Sequence, residues 1–202
     1  MRNVQTFVLG ELKSNAYLVG CRYLIDAGGV NKELLQALTD CGEAFEAILL
    51  THAHVDHIAG ILELKQNFAD CAVYSHRKAK EALQDPQLNL SDWFGQNIVI
   101  ESTVSFDDYT PCVGENELHV IELPGHTRGG VCFYWPAEKM LFSGDSLFKG
   151  SIGRADLPGG DMELLVDSIR QKLLVLPDDT VVYPGHGPST TIGAEKETNP
   201  YF

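Results

Sequence analysis

The sequence predicts an α/β fold in a single domain, residues 1–202. Three observations predict it. Short apolar runs bounded by Gly, Asn or Asp recur along the chain, as strands do. Apolar residues at helical spacing alternate with them. Hydrophobic residues make up 44% of the 202 positions, enough to build a sizeable core between layers.

Taken in order, "NVQTFVL", "NAYLVGC" and "YLIDAG" read as strands. "NKELLQALTDCG" reads as a helix with Asn31 as N-cap and Gly42 just past its end, and "FEAILL" as a buried strand. A helix is expected from about Ile58, a strand at "CAVYS", and a long surface loop from Gln84 to Asn97. Strands follow at "LHVIEL", "VCFYW" and "KMLFS". Met162, Leu165, Val166, Ile169 and Leu173 then keep a 3.6-residue period behind Asp161, a suitable cap. "TVVYP" reads as the last strand. Neither an internal repeat nor a low-complexity linker interrupts this order.

Composition excludes several functions. Fifteen basic residues face twenty-eight acidic ones, a formal charge of −13, so a phosphate backbone would be repelled and no nucleic-acid partner is expected. The longest apolar runs fall short of the ~18 residues of a membrane helix, and "MRNVQTFVLGEL" lacks the apolar stretch of a signal peptide. A cytoplasmic protein with no membrane partner is the expectation. Cys21, Cys41, Cys71, Cys112 and Cys132 form an odd, scattered set without C-x-x-C, which predicts reduced, mostly buried thiols.

The chemistry concentrates in "LLTHAHVDHIAGI", where His52, His54, Asp56 and His57 crowd together. If the preceding strand runs on into Thr51, His52 and His54 point the same way, with Asp56 and His57 in the turn beyond. One histidine is usually a surface residue or a satisfied core residue. Clustered imidazoles are different, because they repel when protonated and are costly to bury unpaired. A metal ion accounts for them. Three more candidates each follow a strand and a glycine: His126 in "ELPGHTRGG", Asp145 in "LFSGDSLF" and His186 in "VYPGHGP". His76 and His119 receive no role. Nitrogen and oxygen donors without thiolate suit Zn(II), the first choice, and equally Fe(II) or Mn(II).

H-x-H-x-D-H followed in order by G-H-T, G-D-S and P-G-H-G resembles the metallo-β-lactamase superfamily. The resemblance implies a four-layer αββα sandwich with the site at one edge between two sheets. It also implies two divalent ions: His52, His54 and His126 on the first, Asp56, His57 and His186 on the second, and Asp145 bridging both. A histidine at 57 and an aspartate at 145, with no cysteine at either, look like the glyoxalase II branch and unlike the antibiotic-degrading one. "GDSLFKGSIGRADLPGGD" and "GHGPSTTIGAEKETNPYF" are similar to the short, single-domain bacterial members. Two-domain glyoxalase II enzymes continue into a helical extension that helps hold glutathione; this chain stops soon after His186.

The implied activity is metal-dependent hydrolysis of a small thioester or ester such as S-lactoylglutathione. Two cations sharing a carboxylate lower the pKa of a shared water from about 15.7 towards about 7, which supplies a nucleophile without a side-chain base. Asp56 and Asp145 would serve catalysis as ligand and bridge, and neither need transfer a proton. Arg154 is the only basic residue between Lys149 and Arg170. It matches a Lys or Arg near the substrate in glyoxalase II-like proteins, where it would pair with a carboxylate on an anionic thiol carrier such as glutathione. The competing role is an internal salt bridge to Asp156 or Asp161. Persulfide dioxygenases share much of this pattern, with one Fe(II) on His52 or its neighbours, His126 and Asp145, and a loop like "GRAD". Lactonases are a further alternative. A non-catalytic relative would be expected to have lost ligands.

Overall fold

A computed structural model describes residues 4–106, 110–113 and 116–202. The chain divides into two compact units, Met1–Asp108 and Tyr109–Phe202.

In the first unit, β1 (Val4–Leu9), β2 (Ser14–Val19) and β3 (Tyr23–Ile25) form an antiparallel meander. The helix α1 (Lys32–Cys41) then returns the chain to β4 (Ala47–Leu49), which pairs parallel with β3. Next come α2 (Val55–Ile58), α3 (Ile61–Asn67), β5 (Ala72–Ser75), α4 (Lys80–Gln84) and β6 (Val104–Ser105). The six strands lie in sequence order, antiparallel up to β3 and parallel from β3 on. Helical crossovers impose this change, because a parallel neighbour needs a long connection back. The register Ile25↔Leu49↔Tyr74 aligns the C-terminal ends of β3, β4 and β5 at one edge, where the segments carrying Asp26 and His52 to His57 emerge. Asn31 caps α1 as expected, accepting the Leu34 amide at 2.8 Å, and Leu34 and Leu38 are wholly buried.

Three expectations for this unit need correction. The strand "AILL" ends at Leu49 and does not reach Thr51. The helix placed near Ile58 begins at Val55 and breaks into α2 and α3, so Asp56 and His57 sit on a helical turn. Cys21 and Cys41, expected as reduced thiols, form a disulfide with Cα atoms 5.4 Å apart, tying the β2–β3 turn to the end of α1. Cys71 and Cys132 are buried free thiols, as expected.

In the second unit, β7 (Cys112–Val113) and β8 (Asn116–Glu117) form a short pair ahead of β9 (His119–Glu122), β10 (Val131–Trp135) and β11 (Met140–Gly144). The hairpin of β12 (Leu147–Phe148) and β13 (Ser151–Ile152), then α5 (Met162–Lys172), β14 (Val181–Pro184), β15 (Thr190–Thr191) and α6 (Ile192–Thr198) complete it. The main sheet runs β15-β14-β11-β10-β9, with β11 and β14 parallel. Asp161 caps α5 by accepting the Leu164 amide at 3.0 Å. Leu165, Ile169 and Leu173 pack into a core with Leu141, Val182 and Ile192, while Met162, on the same periodic stripe, is exposed at the helix start.

Candidate metal centre

In the first unit the site grows from Asp26, the residue just past β3. Its backbone lies in the left-handed region at φ 58, which Asp tolerates better than most residues, and its side chain turns towards the segment after β4. Asp26 Oδ1 accepts the Thr51 amide at 2.8 Å, and Oδ2 accepts the Thr51 hydroxyl at 2.7 Å. Oδ2 also meets His57 Nδ1 at 2.8 Å, with both side chains almost fully buried. A carboxylate only accepts, so His57 carries its proton on Nδ1 and its lone pair on Nε2. Thr51 spends its hydroxyl proton on Asp26. Its oxygen therefore accepts from His52 Nδ1, 3.0 Å away, which gives His52 the same tautomer.

The rings are packed closely. The centroid of His52 lies 4.8 Å from that of His54 and 4.2 Å from that of His57. Asp56 stands beside His57, with Oδ2 at 3.7 Å from Nε2. Close approach of the backbone holds the turn: Ala27 N donates to His57 O at 2.8 Å and Gly60 N to Ala27 O at 2.7 Å. A Cβ on Gly28 would collide with the Asp56 carbonyl, so only glycine fits there.

In the second unit the parallel pairing of β11 and β14 delivers Asp145 and His186 from adjacent strand ends, with Gly185 N donating to Gly144 O at 2.8 Å. His186 Nε2 lies 3.6 Å from Asp145 Oδ2 and His126 Nε2 lies 3.8 Å from it. His126 Nδ1 donates to the Arg154 carbonyl at 2.7 Å, so this ring too has its lone pair on Nε2. A Cβ on Gly153 would meet the Asp145 carbonyl and His126 Nδ1, which explains a glycine at that approach. Buried Glu195 steadies the loop from α6, accepting from Gly150 N at 2.9 Å, Thr190 Oγ1 at 2.6 Å and Asn199 Nδ2 at 2.7 Å.

The structure thus groups His52, His54, Asp56 and His57 in one unit, and His126, Asp145 and His186 in the other. Arg154 presents its side chain to Asp156 as an exposed bidentate pair, with both contacts at 2.7 Å. That is the internal salt bridge weighed against a substrate role, and it holds the Asp156 carboxyl down at about 2. Sequence reasoning missed Asp26, Thr51 and Glu195. For Asp26 a signal existed, a lone carboxylate directly after the apolar "YLI"; for the others none stood out.

The donors fit divalent cations. They are nitrogen and oxygen atoms on buried side chains, and in His52, His57 and His126 the bond at Nδ1 fixes Nε2 as the ligating atom. Within the first unit, Asp26, His52 and His57 bring ligand atoms within 4.8 Å of one another.

Residues 9–186 match the model of the metallo-beta-lactamase superfamily, and the chain belongs to that family. It is 38% identical to the hydroxyacylglutathione hydrolase GloC of Haemophilus influenzae, over 89% of this chain and 86% of that one. The crystal structure of the BLEG-1 B3 metallo-beta-lactamase superposes with a TM-score of 0.89 at 39% identity, covering 98% of each chain. TTHA1623 in a di-iron-bound form superposes with a TM-score of 0.87 at 40% identity, covering 98% of this chain and 100% of that one. The chain therefore has the metallo-β-lactamase fold, of the α/β class, and is a metal-dependent hydrolase of that superfamily. Among the described residues no helix is long and apolar enough to cross a membrane.

Proposed function

We propose that this chain is a binuclear metal hydrolase of the glyoxalase II type, acting as one domain on a small thioester such as S-lactoylglutathione. His52, His54 and His126 would hold one ion and Asp56, His57 and His186 the other, with Asp145 as a ligand common to them. The observation that carries this reading is the shared anchoring at Nδ1: three of the histidines are held in one tautomer by Asp26, Thr51 and the Arg154 carbonyl. Bound there, the ions would supply an acidified water and a Lewis acid for the carbonyl oxygen. The chain's own part is positional. Asp26 and Thr51 orient His52 and His57, Glu195 steadies the loop after Asp145, and no side chain need act as proton carrier. Arg154 contributes by exchanging Asp156 for a substrate carboxylate, an exchange made easy because exposed ion pairs are weak in water.

Zinc is the first choice of metal, and the di-iron form of TTHA1623 supports iron as the second. A cytoplasmic setting belongs to the same reading. The Cys21–Cys41 disulfide counts against it, since such bonds are rare where glutathione keeps thiols reduced.

The likeness to the BLEG-1 B3 metallo-beta-lactamase favours one second reading, lactam hydrolysis. A substrate panel separates the possibilities. Purified metal-loaded protein is given S-lactoylglutathione, a chromogenic cephalosporin, and glutathione persulfide with an oxygen electrode. Turnover of the thioester far above the other two is expected. Preferential cephalosporin cleavage or oxygen uptake would replace the thioesterase reading.

A further inference from the structure

The segment between α4 and Ile98, expected as a surface loop, has a buried frame. Asn89 and Ser91 are wholly buried. Asn89 Oδ1 accepts the Ser91 amide at 3.0 Å, Asn89 Nδ2 donates to Ile98 O at 2.9 Å, and Ser91 Oγ accepts the Ile98 amide at 3.1 Å. Leu90, between them, sits in the left-handed region at φ 68, a conformation unusual for a bulky residue and held here by the bonds on either side. The frame is fixed to the metal-ligand segment. Val55 N, the amide next to His54, donates to Asn89 O at 2.8 Å.

On this frame stand two exposed aromatic side chains in succession. Trp93 is 64% exposed and Phe94 45%, on a tight turn closed by Trp93 N to Leu90 O at 3.2 Å and by Gly95 at φ 67. Trp93 lies four positions on from Asn89, at most ~14 Å of chain. The aromatic pair is thus held at short range from His54 by a bonded frame. Its neighbours Asp92, Gln96 and Asn97 are polar and exposed, so the apolar surface is confined to two side chains. That is far below the ~800 Å² per partner that a stable protein interface needs, and it suits a short acyl chain.

We propose that Trp93 and Phe94 form the subsite for an apolar acyl group, making residues 85–98 the loop that sets acyl preference. This rests on the thioesterase reading, and two measurements keep the claims apart. The first compares acetyl- and hexanoyl-glutathione in metal-loaded protein. Trp93→Ala and Phe94→Ala should each lower the hexanoyl-to-acetyl ratio of kcat/KM by about tenfold. An unchanged ratio overturns the subsite. The second needs no turnover. Trp135 is 2% exposed, so acrylamide quenching reports chiefly on Trp93. Hexanoate should protect that emission and acetate should not. Protection without thioester cleavage would keep the subsite and remove the thioesterase reading. No protection at saturating hexanoate would remove the subsite even if thioesters are cleaved.

Discussion

Asp26 holds two histidines at once, one directly and one through the Thr51 hydroxyl. Asp26→Asn keeps the size but can turn an NH₂ group towards His57 Nδ1–H, so the ring would lose its orientation. The expected result is about 10- to 100-fold weaker affinity for the ion that His57 would hold, with a smaller change for the one His52 would hold. Metal titration by calorimetry measures it, and equal losses at both ions would make Asp26 a purely structural residue. At Arg154 the question is whether the guanidinium leaves Asp156 for substrate. Arg154→Ala should raise KM for glutathione thioesters while barely changing that for a small neutral ester. Equal slowing on both would leave Arg154 as a loop-shaping residue. The candidate ligands stood out in the sequence because imidazoles crowded into six positions have few other uses. Asp26 and Thr51 were not, because their role is a contact across 25 residues, invisible to local spacing.

At the scale of elements, what is local was readable. The α1 and α5 caps bond amides three residues away, so Asn31 and Asp161 announced both helices. Asp161→Ala should cost about 1 kcal/mol of stability in urea unfolding, with the metal sites intact. A loss beyond about 3 kcal/mol would mean that Asp161 holds more than the helix end. What is set from a distance was misread. Strand β4 stops at Leu49 because Thr51 is drawn towards Asp26, and α2 starts at Val55, whose amide is taken by Asn89. The polar composition of "QDPQLNLSDWFGQN" suggested a surface loop, yet Asn89 and Ser91 bond its own backbone inside.

For the whole molecule, strand-like runs mixed with helical spacing and 44% hydrophobic residues pointed to an α/β protein with a sizeable core, but the pairing of Cys21 with Cys41 depends on how a turn and a helix end meet. No composition reveals that. The remaining thiols give the molecule a pH dependence. Burial pushes Cys71 up to about 11 and Cys132 up to about 12, from an ordinary 9.0. Unfolded thiols would ionise first, so stability held below pH 9 should fall as pH rises through that range towards about 11 to 12. Melting temperature against pH measures it, and Cys132→Ala should flatten the fall; an unaltered slope would assign the loss to other groups. The proposed function, hydrolysis of a thioester by two ions acting together, meets its most direct test in one titration. Chelator-stripped protein is reconstituted with Zn(II) while S-lactoylglutathione hydrolysis is followed. Activity should rise to its maximum only at two equivalents per chain; full activity at one equivalent, or two ions bound without hydrolysis, would contradict the account.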